Sequence, residues 1–252
     1  MTIYHGFAEL YRRGWYANFS LNIALVIPAL LEHLHCQPGS TLDLACGMGD
    51  FAIEMAKQGL KTTGVDLSTR MLAIAKQKAR REKVNIEWLH QDMRDLNVSK
   101  KVDLCTCWFD SLNYILDWRD LKQVFRNVYQ ALNSNGYFLF DMNTRHGLIE
   151  RWNRFPCYVP QDSPSHVEVH QPSFDHEQNI ASMKITGFIK EDGRWKRIQE
   201  IHKEKAYSLQ EIRDAFMEAG FNEIHSFGSL EDRTPIDSHT GRAFFILQNK
   251  QV

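Results

Sequence analysis

Thr41–Ala52, with the sequence TLDLACGMGDFA, decides how the rest of the chain is expected to fold. The apolar residues at its start predict a short strand over 41–45, followed by a glycine turn and a helix that begins near Asp50. Gly47 and Gly49 have no Cβ, so the backbone can turn sharply and a ligand can approach the first N–H groups of that helix. We therefore expect a ligand site at this turn.

Two kinds of ligand are compatible with the glycine spacing alone. Gly47-x-Gly49-x-x-Ala52 satisfies a loose dinucleotide pattern, and Asp66 lies about 20 residues on, where a ribose-binding acid is expected. Asp43 separates the alternatives, because a carboxylate in the strand before the turn repels a pyrophosphate and attracts a ligand that carries an ammonium and a sulfonium. The sequence therefore favours the cationic ligand over NAD(P).

Three motifs occur in a fixed order from this strand onward: LDLACGMGD at 42–50, TTGVDLSTRMLAIAK at 62–76 and HQDMRDL at 90–96. Together they resemble the first motif, the acidic strand end and the adenine-side motif of the class I S-adenosylmethionine-dependent methyltransferases, and the similarity continues through 136–143. The resemblance implies an α/β fold with a Rossmann-like, seven-stranded, mostly parallel sheet, an antiparallel last strand and an inserted antiparallel β cap. It also implies S-adenosylmethionine as the cofactor.

The resemblance assigns expected roles to individual residues. Asp66 is expected to accept the ribose hydroxyls, although Asp is also a common helix cap. Asp92 and Met93 are expected beside the adenine, although Asp92 could simply stabilise a turn, and Met71 could equally be core. The expected cofactor-binding residues are Tyr4, Tyr11, Asp43, Ala45, Gly47, Gly49, Asp66, Leu67, Met71, Asp92, Met93, Phe109 and Ser111.

The composition is that of a folded domain with no strong charge preference. The 252 residues, 43% of them hydrophobic, suffice for one domain or for a domain with an inserted cap. The formal net charge of −1 gives no reason to expect nucleic acid as a partner. Five cysteines without framework spacing favour a reducing compartment, so a cytoplasmic protein is predicted. The start of the chain has no apolar signal core, and no membrane role is expected.

Hydrophobic periodicity extends the prediction along the chain. A capping box at Ser208 and Glu211 predicts the start of the last helix. The expected helices cover 22–35, 51–58 and 209–219, and the expected strands of the main sheet cover 41–45, 61–65, 86–89, 102–108, 137–140, 222–227 and 242–248.

Two segments fall outside this alternation. The aromatic residues of 1–20 predict either a packed helix or, by the resemblance, a lid whose tyrosines reach the ligands. Residues 145–206 predict antiparallel strands with a hairpin at Asp192-Gly193, and Gly187 is expected to mark a bulge. We therefore predict a core of 1–144 and 207–252, with 145–206 as a cap over the active site.

The catalytic residue is not identifiable from the sequence. Candidates are His202 as a general base, Asn143 at a strand end on the acceptor side, and Tyr16 of the lid. Four histidines of the cap lack the carboxylate spacing of a metal site, so no metal is predicted. In-line methyl transfer to a nitrogen or oxygen of a small molecule is the expected reaction, in a monomer or homodimer. The alternatives are a tRNA-modifying methyltransferase, an NAD(P)-dependent oxidoreductase and a non-catalytic binding module.

Overall fold

The computed structural model describes Tyr4 and residues 6–250, except for the side chains of Arg151 and Asn153. Seven α-helices and eleven strands are assigned among these residues. The helices are α1 (Phe7–Arg13), α2 (Ala17–His33), α3 (Asp50–Lys57), α4 (Thr69–Arg81), α5 (Trp118–Ala131), α6 (Arg145–Asn153) and α7 (Leu209–Glu218). The strands are β1 (Ser40–Leu44), β2 (Lys61–Asp66), β3 (Ile86–His90), β4 (Val102–Cys107), β5 (Leu132–Asn143), β6 (Tyr158–Ser163), β7 (His166–Asp175), β8 (Ile180–Glu191), β9 (Arg194–Lys205), β10 (Asn222–Phe227) and β11 (Arg242–Gln248).

The main sheet has seven strands in the order β10-β11-β5-β4-β1-β2-β3. Strands β1 to β5 pair in parallel, whereas β11 runs antiparallel to both β5 and β10. The carboxyl ends of β1, β2 and β4 therefore meet at one edge of the sheet, which is where open parallel sheets bind ligands. The predicted seven-stranded fold with an antiparallel last strand is confirmed.

Helices cover both faces of this sheet. On one face α2 and α3 bury Ile27 and Phe51 against Leu104 and Leu139. On the other, α5 and α7 pack with the sheet in a second apolar cluster that includes the rings of Phe125 and Phe216. The capping box at Ser208 is present, and its side-chain and backbone bonds fix the start of α7. This packing supports the carboxyl ends of the strands at the edge of the sheet where a ligand is expected to bind.

Strands β6 to β9 form a separate antiparallel sheet in sequence order, which confirms the predicted inserted β sheet. The predicted bulge at Gly187 is wrong, because β8 pairs with β7 and β9 without a register shift there. A Cβ on Gly187 would lie 2.3 Å from Cδ1 of Leu10 in α1. Gly187 is therefore a site of close approach between the N-terminal helix and this sheet.

Several element boundaries differ from the prediction. α2 begins five residues before the predicted start at residue 22, and β5 begins five residues before the predicted start at residue 137. β5 begins at Leu132 because this residue pairs with Val102 of β4, and the backbone of Asn249 pairs with Asn135 and Gly136 further along the strand.

Helix α6 follows β5 within the segment predicted to hold only strands, and Thr144 caps it by accepting the N–H of Gly147. Within the described ranges, no single helix is long and apolar enough to cross a membrane. α1 and α2, which meet at a 61° bend, reach the required length and apolar composition only as a pair.

Candidate functional site

A cavity of about 400 Å³ lies at the carboxyl ends of β1, β2 and β4. The helix α1 and Tyr4 close one side of it. Every residue predicted to bind the cofactor lines this cavity except Gly49; their binding roles stay predictions. The lining residues outside that prediction are Ser20, Leu44, Cys46, Phe51, Val65, Ser68, Gln91, Arg94, Trp108, Tyr114, Ile115, Leu116, Asp117 and Asp120.

The two glycines of the turn have different tasks. Gly47 has a φ of +53°, and a Cβ built on it would meet no atom within 4 Å, so its backbone faces open space. Gly49 has a φ of +75°, and its Cβ would lie 2.4 Å from the ring of Trp88. Gly47 therefore leaves room for a ligand, whereas Gly49 makes room for β3.

Asp66, the last residue of β2, is held by backbone donors. Its carboxylate accepts the N–H of Gly47 at 2.8 Å and the N–H of Ser68 at 2.7 Å. Burial raises the pKa of Asp66, and these two hydrogen bonds oppose the rise. Ser68 rather than Asp66 is the N-cap of α4, since its side chain accepts the N–H of Met71. A carboxylate has further lone pairs for a ligand hydroxyl.

Asp92 is engaged with a neighbouring side chain. It caps the 3-10 helix Met93–Asp95 by accepting the N–H of Arg94, and the guanidinium of Arg94 binds both carboxylate oxygens at 3.0 and 2.6 Å. Asp92 thus stabilises a turn and also lines the cavity. A ligand that contacts the carboxylate of Asp92 would share its oxygens with the guanidinium of Arg94.

Asp43 is 2% exposed and accepts a hydrogen bond from the hydroxyl of Thr106 at 3.1 Å. Burial raises the pKa of this carboxyl to about 7. Among the described residues that line the cavity, Arg94 is the one cation, and it pairs with Asp92 and Asp120. The cavity therefore has an excess of carboxylates, which favours a ligand that carries positive charge.

The loop after β4 forms another wall of the cavity in a rarely adopted backbone conformation. Phe109 and Asp110 have φ values of 62° and 52°, and Asp141 of β5 accepts the N–H groups of both, at 2.7 and 3.0 Å. Arg242 of β11 pairs with the carboxylates of Asp110 and Asp141. Its guanidinium also lies over the ring of Phe19, 4.8 Å from the centroid. These contacts hold the ring of Phe109 in place against the cavity.

None of the three catalytic candidates lines the cavity. Tyr16 donates its hydroxyl to Glu168 of β7 at 2.5 Å, and Asn143 donates its amide to Glu204 of β9 at 2.8 Å. His202 of β9 is 2% exposed, and burial lowers its pKa to about 4. Its Nδ1 lies 3.1 Å from the hydroxyl of Tyr114, which does line the cavity.

The strands of the second sheet carry a buried polar face that the sequence analysis missed. Glu200, His202 and Glu204 alternate along β9, so all three point to the same face. Glu168 lies between two histidines in β7 with the same alternation. Burial alone would raise the pKa of Glu168, but hydrogen bonds from His170 and Tyr16 lower it. Polar residues with a period of two were the signal in the sequence that could have identified this face.

The carboxylate of Glu200 binds the start of the described chain. It accepts the backbone N–H groups of Tyr4, Gly6 and Phe7 at 2.9, 2.6 and 2.8 Å. Together with the bond between Tyr16 and Glu168, these contacts attach the N-terminal aromatic segment to the second sheet. Among the described residues no group of three or more histidine, cysteine or acidic side chains could hold a metal ion.

The chain is similar to known methyltransferases over most of its length. Residues 41–136 match a family described as a methyltransferase domain. A protein of Geobacillus sp. (strain WCH70) with a provisional methyltransferase name is 31% identical over 211 residues, which are 81% of this chain and 82% of that protein. The glycine/sarcosine N-methyltransferase of Parasynechococcus marenigrum (strain WH8102) is 25% identical over 227 residues, 86% of this chain and 74% of that protein.

A crystal structure of an S-adenosylmethionine-dependent methyltransferase from Clostridium acetobutylicum ATCC 824 superimposes with a TM-score of 0.88 at 27% identity, over 99% of this chain and 100% of that chain. The chain therefore belongs to the class I S-adenosylmethionine-dependent methyltransferases. The predicted enzyme class and cofactor are confirmed, and the NAD(P)-dependent alternative is set aside.

Proposed function

We propose that this methyltransferase moves the methyl group to a nitrogen or oxygen of a small molecule, with residues 145–206 acting as a cap over the core formed by 1–144 and 207–252. The observation that carries the proposal is the closure of the cavity by Tyr4, Tyr11 and Tyr114. A volume of about 400 Å³ suits small ligands, since sites for them have roughly 300–1,000 Å³. A macromolecular acceptor would need the N-terminal segment to move away.

The cavity residues fit S-adenosylmethionine, and each would contribute a different contact. Asp66 would accept the ribose hydroxyls, and the turn at Gly47 would let the ligand approach the backbone. Asp43 would face the ammonium group. The positive charge of that group would stabilise the ionised carboxylate, which burial disfavours. Met71, Met93 and Asp92 would surround the adenine. When bound, the cofactor supplies a methyl group on a positively charged sulfur that a nucleophile can displace.

The chain's own contribution is to position the acceptor and exclude water. The aromatic rings of Tyr11 and Phe109 lie 6.5 Å apart at the cavity wall, and Phe19 stacks on Phe109 at 4.9 Å. The imidazole of His202 is separated from the cavity by the hydroxyl of Tyr114. The proposed reaction therefore relies on positioning more than on proton abstraction.

The relatives support a small acceptor. The glycine/sarcosine N-methyltransferase that resembles this chain is named for the methylation of small amines. The formal net charge of −1 supports the same class and disfavours tRNA, which requires a basic surface. We also propose a cytoplasmic location and a monomer or homodimer.

Calorimetric titration with S-adenosylmethionine, S-adenosylhomocysteine and NADH tests the cofactor site. We expect the first two ligands to bind and NADH not to bind. Binding of NADH alone would contradict the proposed site.

Mass spectrometry with S-adenosylmethionine carrying a deuterated methyl group then tests the acceptor. The enzyme is incubated separately with a small-molecule extract of bacterial cells and with unmodified tRNA. We expect the labelled methyl group in the small-molecule fraction. Labelled tRNA and an unlabelled extract would replace the proposal with the tRNA alternative.

A further inference from the structure

A chain of hydrogen bonds leads from the cavity into the second sheet. The hydroxyl of Tyr4 lies 3.1 Å from the hydroxyl of Tyr114, which lies 3.1 Å from Nδ1 of His202. Both tyrosines line the cavity, and the imidazole is buried behind them. The rings are packed together: the centroid of His202 lies 5.2 Å from that of Tyr4 and 6.0 Å from that of Tyr114.

The carboxylate of Glu200 lies beside the second ring nitrogen of His202. Its Oε2 lies 3.6 Å from Nε2 of His202, an atom without a hydrogen-bond partner among the described residues. Glu200 already accepts three backbone N–H groups, so its oxygens act as acceptors. An acceptor beside Nε2 favours the tautomer with the proton on Nε2. Nδ1 is then a bare nitrogen that can only accept a hydrogen bond.

The Nε2–H tautomer sets the direction of the hydrogen bonds between Tyr4, Tyr114 and His202. Tyr114 has one hydroxyl proton and must donate it to Nδ1 of His202. Its oxygen is then the acceptor for the hydroxyl proton of Tyr4. Neither hydroxyl has a proton left for a ligand, and each keeps a lone pair. The hydroxyl groups of Tyr4 and Tyr114 therefore offer hydrogen-bond acceptors and no donor to a ligand.

The phenol groups stay protonated and so cannot act as bases. Burial raises the pKa of both Tyr4 and Tyr114 well above the usual value, and the nearby carboxylates Asp110 and Glu204 raise it further. Asp110 favours positive charge at this wall, whereas burial raises the pKa of Glu204 well above its usual value and so favours its neutral form. A neutral amine meets both conditions, because it donates N–H groups before the transfer and becomes a cation during it.

We propose that the methyl acceptor is a primary or secondary amine that donates its N–H groups to the phenol oxygens of Tyr4 and Tyr114, and that His202 is a positioning residue that fixes the direction of this hydrogen-bond chain. The proposal rests on the methyltransferase function proposed above. During transfer the nitrogen–carbon bond forms, the carbon–sulfur bond breaks and its electron pair stays on sulfur. The nitrogen keeps its hydrogens, and the resulting ammonium loses a proton to water after release. A tertiary amine has no N–H to donate, so no quaternary product is formed.

The tautomer of His202 can be measured directly. In protein labelled with 15N-histidine and saturated with S-adenosylhomocysteine, two-bond 15N–1H correlation spectra distinguish the two tautomers. The signals of His202 are those missing in His202→Asn. We expect the Nε2–H tautomer at about pH 7. The Nδ1–H tautomer, or a charged imidazole, would overturn the proposal.

The hydrogen-bond acceptors offered by Tyr4 and Tyr114 can be probed with two small cations of equal charge. Methylammonium has N–H groups, and tetramethylammonium has none. We expect methylammonium to shift the His202 signals saturably and to bind about tenfold more tightly or better than tetramethylammonium, as expected for hydrogen bonds to a charged donor. Equal binding of the two, or no shift with methylammonium, would overturn the proposal.

Two tyrosine variants complete the test. Tyr114→Phe should abolish the preference for methylammonium, because it removes the hydroxyl that links Tyr4 to His202. Tyr137→Phe, a change outside the cavity, should keep the preference. A preference that survives in Tyr114→Phe contradicts the proposal.

Failure of S-adenosylmethionine to bind in calorimetry would refute the proposed function itself. Normal cofactor binding without the methylammonium effect would refute only the amine inference.

Discussion

Arg242 in the last strand forms a buried ion pair with Asp141 in the neighbouring strand β5, across 101 residues of sequence. Burial raises the pKa of Asp141, and the guanidinium opposes that rise. Because Asp141 also holds the backbone of Phe109 and Asp110, this pair connects the edge of the sheet to the cavity wall.

Removal of the guanidinium should destabilise the whole domain. Arg242→Met leaves two buried carboxylates without their partner, and we expect a loss of about 3–5 kcal/mol in the free energy of unfolding, measured with urea. Arg213→Met is the control, because its pair with Glu223 is about one third exposed and should contribute at most about 1 kcal/mol. Equal effects of the two variants would contradict the role assigned to Arg242.

Asp66 should contribute directly to cofactor affinity. Asp66→Asn removes a charged acceptor of the ribose hydroxyls, and we expect S-adenosylmethionine to bind more weakly by about 1.5–3 kcal/mol in calorimetry. Asp232→Asn, in an exposed loop, should leave the affinity unchanged. A folded Asp66→Asn protein with unaltered affinity would disprove the ribose contact.

Asp43 should make stability depend on pH. Its folded pKa of about 7 lies above its usual 3.8, so the folded state binds more protons between these values and its stability falls as pH rises. We expect the free energy of unfolding of the wild type to drop relative to Asp43→Asn, by at most about 1.4 kcal/mol for each pH unit between pH 4 and 7. Asp66, whose pKa is also raised, acts with the same sign in both proteins. Parallel pH profiles would argue against an ionisable Asp43.

Gly187 should be required for the contact between α1 and the second sheet. In Gly187→Ala the new Cβ overlaps Leu10, and we expect a loss of about 1–3 kcal/mol in the free energy of unfolding. The double variant Gly187→Ala with Leu10→Ala should lose less than the sum of the two single changes. Gly39→Ala is the control, since its Cβ would only reach ordinary contact at 3.6 Å. Additive effects would exclude a steric clash.

The parallel core was predictable because its determinants are local. The strand, glycine turn and helix around Gly47 follow one another in sequence, and period-two and helical patterns located most of the other elements of the main sheet. The position of Asp66 at a strand end also followed from local pattern. Elements of this kind carry their own signals, so a single sequence suffices to place them.

The remaining features depend on contacts between distant residues. Gly187 was assigned to a bulge because its partner Leu10 lies in another part of the chain. His202 was one of three catalytic candidates, and its position behind Tyr114 could not be read from the sequence because the two residues lie 88 positions apart. Arg242 was not singled out, since nothing near it in sequence indicates Asp141 as its partner. The cofactor-binding roles of the predicted site residues stay predictions, and the experiments above test them.

The place of β11 in the sheet has a consequence for the synthesis of the protein. It lies between β5 and β10, although both precede it in the chain. Until β11 has left the ribosome, β5 has an unpaired edge and Asp141 lacks its guanidinium partner. A nascent chain that ends before Arg242 should therefore resemble an aggregation-prone folding intermediate, and the cavity wall at Phe109 gains its full support only once β11 has been synthesised.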